Sequence, residues 1–148
     1  MARTIAVLFA MVVSFNAGAG SAAFASPSDS WAWKYRVLVV FASNDEDPSL
    51  RSQRQQLKGM RSELDDRHMS VIEVIGSNAT HVSGPDLGLS GNELKTFVRK
   101  KDDRFEVLLF GKDTGIKLRS SEPVAASNVF SLIDTMPMRR QEMKRSGR

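Results

Sequence analysis

Arg36-Val37-Leu38-Val39-Val40-Phe41 decides the fold class: it is an uninterrupted apolar run entered by one cation. A strand with one wet face alternates apolar and polar residues, whereas a run apolar at every position suits a central strand covered on both sides. The polar turn Ser43-Asn44-Asp45-Glu46-Asp47-Pro48 follows it. In open α/β sheets ligands gather at the carboxyl ends of strands, so this turn is the first place to look for chemistry. It holds no cysteine, histidine or glycine-rich loop.

Asp47-Pro48 opens a helix, with aspartate as the cap and proline at the first helical position. Leu50, Leu57, Met60 and Leu64 recur at helical spacing, while Arg51, Arg54, Lys58 and Arg61 lie mostly off that stripe and read as a solvated face. Met69 to Ile75 is the second strand, so strand, helix and strand form a right-handed βαβ unit with parallel strands. Gly76 to Gly91 reads as a long loop in which His81 is solvated. Ser90 and Glu93 have the spacing of a capping box and start a second helix, closed by Arg99-Lys100-Lys101 as helix-end charge. Phe105–Phe110 and Ile116–Arg119, joined by the turn Gly111–Gly115, form an antiparallel hairpin. Val129, Leu132, Ile133 and Met136 mark a last helix, which Pro137 stops or kinks. The predicted order is β-α-β-α-β-β-α on a mixed four-stranded sheet.

Ahead of this domain, Met1-Ala2-Arg3, the apolar stretch Ile5–Val13 and the small-x-small triplet Ala23-Phe24-Ala25 have the form of a secretory signal peptide. The expected organisation is a signal peptide over 1–25, a flexible leader over 26–32, one domain over 33–143 and a basic tail over 144–148. Export places the mature chain in a periplasmic or extracellular space, with no transmembrane segment after cleavage. The paired aromatics of Trp31-Ala32-Trp33 are expected to cover an edge of the core.

The 148 residues contain no cysteine, which excludes disulfide staples, thiol catalysis and thiolate metal sites. The pI near 9.7 comes from one end of the chain. Residues 26–137 hold 15 Lys/Arg against 16 Asp/Glu, whereas the last eleven residues carry five cations and one acid. A broad nucleic-acid face needs basic residues clustered across the domain, so no nucleic-acid partner is expected. The tail is suited at most to weak contact with an anionic surface. Three clustered acids in the 43–48 turn lack the spaced ligands and glycine of a calcium loop, and two histidines are too few for a histidine-rich metal site. No metal or cofactor is expected. Asp65, Asp66, Arg67 and His68 mix acid and base without a nucleophile partner.

Two parallel strands followed by an antiparallel hairpin are similar to the thioredoxin-fold core. Three stretches narrow the resemblance: Arg36–Phe41, Gly111–Arg119 and Ile133-Asp-Thr-Met-Pro-Met-Arg-Arg-Gln-Glu-Met143. Together they resemble the family called domain of unknown function 4174, a type of domain also present in secreted matrix proteins with sushi repeats. The resemblance covers roughly Trp33 to Met143 and implies a thioredoxin-like fold outside the cytoplasm, with no established activity. It departs from any redox version. A thioredoxin-type site needs a low-pKa thiolate at the start of the first helix. This chain has carboxylates there, and Lys101-Asp102-Asp103-Arg104 where a proline would precede the third strand.

The remaining candidates are Lys112, Arg119, Asp134, Arg139 and Arg140. One reading pairs Arg119 with Asp134 as a structural ion pair. The other groups Lys112, Arg119 and Arg139 into an anion pocket, since an arginine fork suits carboxylate or phosphate. The functional expectation is a non-catalytic binding module with an unknown protein partner. Its alternative is an anion or small-ligand binding protein, or a small non-thiol enzyme, using the Lys112/Arg119/Arg139 cluster.

Overall fold

Every residue of β1, Arg36–Ala42, is buried, and β1 is the middle strand of the computed structural model, which describes residues 25–148. Residues 1–24 of the expected signal peptide lie outside the described residues. Successive side chains of a strand point to opposite faces, so β1 feeds two apolar layers at once. Leu38, Val40 and Ala42 join Leu50, Leu64, Val129 and Ile133 on one face of the sheet. Val37, Val39 and Phe41 join Trp31, Leu94, Leu108 and Phe110 on the other. This double covering is why the run is apolar at every position.

β2, Met69–Ile75, lies parallel to β1, and β4, Glu106–Phe110, lies antiparallel on its other side. β5, Ile116–Ser120, pairs antiparallel with β4 and forms one edge. The mixed α/β class and the closing hairpin follow the sequence reading. The strand count does not: with Asn78–Ser83 as β3, the sheet has five strands among the described residues, in the order β3-β2-β1-β4-β5. The extra one, β3, lies inside the stretch expected to be loop. Ile75 pairs with Asn78 across a two-residue Gly76-Ser77 turn, and Gly76 takes the left-handed φ of +61° that such turns require. β3 alternates exposed and half-buried positions without a large apolar residue until Val82, so it lacks the hydrophobic signal of a core strand. His81 is on this strand, largely shielded, with Nε2 2.9 Å from Asp86 Oδ1, and is not a solvated loop residue.

The first helical region is two helices, α1 (Pro48–Leu57) and α2 (Arg61–Asp66). Gly59, at φ +77°, breaks the expected single helix while leaving Leu57, Met60 and Leu64 on the core. The Asp47 side chain accepts from Ser49 N at 2.8 Å and caps α1, with Pro48 as its first residue. α3, Gly91–Phe97, starts with the expected Ser90/Glu93 capping box. The last region also divides, into α4 (Ala126–Asp134) and α5 (Pro137–Arg145). Pro137 cannot donate the bond that would continue α4, but it is well placed at the start of α5.

The expected flexible leader is a 3-10 turn at Pro27–Ser30, and it delivers Trp31 into the core with no exposed surface. Trp33 instead remains 68% exposed at φ +63°, its N–H donating to Lys112 O. Only the first of the paired tryptophans covers the core.

Candidate functional site

Arg36 begins β1 and is only 1% exposed, so its charge must be compensated inside the protein. Its Nη1 donates to Glu142 Oε2 at 3.1 Å and to Arg67 O at 2.8 Å, and its Nη2 donates to Glu142 Oε1 at 3.3 Å. Glu142 comes from α5. Its other partner is Lys112, buried in the β4–β5 turn, whose Nζ is 2.7 Å from Glu142 Oε1 and 2.7 Å from His68 Nδ1. An ammonium can only donate, so His68 Nδ1 is the acceptor and the ring proton sits on Nε2.

A second set of pairs adjoins the first. Arg139, 4% exposed on α5, donates from Nε to Asp134 Oδ1 at 3.0 Å, from Nη1 to Asp66 O at 2.8 Å, and from Nη2 to the Asp66 carboxylate. Arg67 holds Asp134 from the other side with Nε at 3.1 Å and Nη2 at 2.8 Å, while its guanidinium lies over the Phe130 ring. Arg148 reaches Asp66 Oδ1 at 2.5 Å. Five cations thus share Asp66, Asp134 and Glu142, tying α2, β1, the β4–β5 turn, α4 and α5 into one brace.

Burial alone would raise the three carboxyl pKa values, but the arginine and lysine donors outweigh it. Glu142 is held below the usual range by Lys112 and Arg36, Asp134 by Arg67 and Arg139, and Asp66 by Arg139 and Arg148. His68 is pushed down, first by burial and then by the Lys112 charge, so its ring is neutral at neutral pH. A general acid or base is most effective with a pKa near the working pH, and these carboxylates are moved away from it.

The structure separates the residues singled out from sequence. Lys112, Asp134 and Arg139 meet in the brace, but as partners of acids and bases rather than as an open anion pocket. Only Lys112 of the expected anion trio lines the small cleft of about 120 Å³ between the β4–β5 turn and the start of α5. Arg140 is exposed on α5. Arg119 lies toward the opposite end of the sheet, opposite Leu108 on β4, and donates from Nη1 to Glu106 Oε1 at 3.1 Å. The expected Arg119–Asp134 pair is therefore not formed. Both residues are paired, with different partners, because β5 runs Arg119 away from the turn that carries Lys112.

Arg119 instead faces a cleft of about 490 Å³ near the carboxyl end of β1, lined by the α3–β4 connection and β5. Arg99, Lys100, Lys101 and Arg104 contribute charge to it, with Asp102 and Glu106 as its acids. Phe41 of β1 pairs with Glu106, and Lys100 Nζ lies 5.5 Å from the centre of the Phe41 ring. Lys100 is itself shielded and bound to Asp102 at 3.1 Å and Glu106 at 3.3 Å. Arg104 and then Lys100 hold Asp102 well below the usual carboxylate range. Arg99 and Lys101 have no ion-pair partner among the described residues. In sequence the 99–101 run has the form of helix-end charge, whereas in the fold it forms one wall of this cleft. No local signal marks the cleft, because Arg119 is brought beside the run only by the β4–β5 pairing. Among the described residues, no three His, Asp or Glu side chains gather closely enough to hold a metal ion.

The family model described as Domain of unknown function (DUF4174) matches residues 27–142, most of the chain. The chain belongs to the DUF4174 family. Similar proteins include zebrafish (Danio rerio) coiled-coil domain-containing protein 80, 27% identical over 125 residues, covering 73% of this chain and 14% of that protein. Human sushi repeat-containing protein SRPX2 is 31% identical over 117 residues, covering 74% of this chain and 24% of its own length. Its rat counterpart is 31% identical over 119 residues, covering 76% of this chain and 25% of that one. The chain thus spans a quarter or less of the curated relatives it matches. No solved structure matches it. The three stretches on which the DUF4174 resemblance rests supply Arg36, Lys112, Asp134, Arg139 and Glu142 to the brace.

Proposed function

We propose that this DUF4174 domain is a non-catalytic protein-interaction module that works outside the cytoplasm and does no thiol chemistry. The observation that carries the reading is the saturation of the brace. Asp66, Asp134 and Glu142 each hold at least two cations, so none is free to act as a base. A chain without cysteine offers no thiolate, and the turn after β1 uses Asp47 to cap α1. The order β2-β1-β4-β5, with β1 and β2 parallel and β4 antiparallel to β1, supports a thioredoxin-like reading in which β3 is an added edge. The occurrence of a matching stretch within much longer relatives supports a portable module. The amino-terminal sequence supports export, and no helix among the described residues is long and apolar enough to cross a membrane.

Cross-linking on intact producing cells, followed by mass spectrometry, should recover a reproducible protein partner. Recovery no greater than with a scrambled-sequence control would overturn the reading.

A further inference from the structure

The cleft beside β5 concentrates charge in a way the rest of the domain does not. Arg99, Lys100, Lys101, Arg104 and Arg119 line it against Asp102 and Glu106, whereas residues 26–137 as a whole carry one more acid than base. A cleft whose cations outnumber its acids, on a near-neutral body, focuses its field on ligands of negative charge. We propose that this cleft and the adjoining edge of β5 bind an extended, carboxylate-rich segment of a partner protein. The inference rests on the interaction-module reading and adds to it the place and chemistry of contact.

Three features select carboxylates on an extended chain. The exposed cations already hold carboxylates in the free protein: Arg104 Nη2 is 2.7 Å from Asp102 Oδ2 and Arg119 Nη1 is 3.1 Å from Glu106 Oε1. Such solvent-exposed pairs are weak and exchange readily for a better-placed acid. Arg99 and Lys101 add two cations with no ion-pair partner among the described residues. Finally, β5 is a sheet edge that carries Arg119 into the cleft, with Lys117 nearer the turn, at the irregularity in the β4–β5 pairing and held by Asp113 at 2.7 Å. Alternate side chains on a strand share one face about every 7 Å, so a segment added along β5 would set one of its own alternate side chains beside Arg119 and the next toward the cations of the α3–β4 connection. Ile116, exposed at the start of β5, gives such a segment an apolar contact. Cations on an edge also repel basic segments, which turns an exposed edge into a selective one.

The test uses the mature protein and a fluorescein-labelled peptide alternating glutamate with valine, followed by fluorescence anisotropy. Binding should weaken with added salt. It should fall at least about tenfold in the double variant Arg119→Ala/Lys101→Ala, the equivalent of losing roughly one charged contact. Arg119→Lys should recover part of the loss, and Arg140→Ala should bind as the parent does. Circular dichroism and the urea midpoint establish that each variant is folded. Absence of peptide binding at low salt, or equal binding by the double variant, overturns the proposal. So does a preference for a heparin oligosaccharide or inorganic phosphate while the peptide stays inert. Cross-linking with the same double variant separates the two readings. A partner recovered equally by parent and double variant sinks the cleft and leaves the module standing, whereas no partner for the parent sinks the module itself.

Discussion

The brace beneath α5 and the cleft beside β5 are built from the same side-chain types, Arg and Lys set against Asp and Glu. Their difference is burial. In the brace, Arg36 and Arg139 are nearly inaccessible, and every Arg139 donor with a partner, like both terminal nitrogens of Arg36, is directed at an acid or a backbone carbonyl, while Arg36 Nε is buried without one. In the cleft, Arg99, Lys101, Arg104 and Arg119 are exposed, and Arg99 and Lys101 hold no acid among the described residues. A buried charge that loses its partner is costly because water cannot replace it, whereas an exposed one is resolvated at once. The first arrangement therefore fixes the structure, and the second leaves charge available to a partner. Identical residue types serve opposite purposes according to the dielectric around them.

Removing Glu142 is the severest test of that contrast. Glu142→Ala strands Arg36 and Lys112 together beneath α5, and urea unfolding should show a loss of about 3 kcal/mol. A loss below about 1 kcal/mol would mean that water reaches the brace freely. Next comes Arg139→Ala, which frees Asp66 and Asp134 but leaves Arg67 and Arg148 to hold them. Its expected cost is about 2 kcal/mol by the same measurement.

Acid titration probes the brace without a mutation. Its three carboxyl groups have folded pKa values below their ordinary ones. As pH falls through the ordinary carboxylate range, near pH 4, the unfolded chain takes up protons before the folded one. The unfolded state is then favoured, so this contribution is complete above that range and is lost as pH falls through the folded pKa values. The urea midpoint should drop on that limb, and Glu142→Gln should flatten it. His68 acts in the same direction at higher pH: its lowered folded pKa gives stability that is present above roughly pH 6.5 and lost on acidification. His68→Asn should remove that shallow slope while keeping a residue that tolerates the local φ of +50°.

The cleft should behave differently. Arg119→Ala breaks only an exposed pair with Glu106 and should change stability by less than about 1 kcal/mol, even as it weakens peptide binding. Raising salt to about 0.15 M, where screening acts over roughly 8 Å, should reduce that small difference further and leave the Glu142→Ala cost almost intact. Equal salt sensitivity in the two regions would erase the distinction.

Much of the fold is legible because it is local. The unbroken apolarity of Arg36–Phe41, the Asp47-Pro48 cap, the Ser90/Glu93 box and the break at Pro137 each depend on a few neighbouring residues. β3 was hidden because Asn78-Ala79-Thr80 carries no apolar alternation, although the two-residue Gly76-Ser77 turn before it was a usable hairpin signal. The break at Gly59 was also available, but the apolar spacing across it argued for continuity. The candidate site was only partly legible. From sequence, Lys112, Asp134 and Arg139 are candidates for an Arg119–Asp134 pair or an anion pocket with Arg119; the structure instead joins them to Arg36, Asp66, Arg67 and Glu142, which no local signal marks as their partners. Those contacts span up to 106 residues, and no periodicity encodes them.

The sequence by itself determined the α/β class, the central position of β1 and the absence of cysteine from the 148 residues, since hydrophobic pattern and composition act residue by residue. It also carried the family resemblance in three separate stretches. Only the tertiary structure decided that charges from those stretches converge beneath α5, and that Arg119 is carried to the other end of the sheet. An ion pair depends on distance and burial, and both are set by how strands register and helices pack rather than by which residues are present.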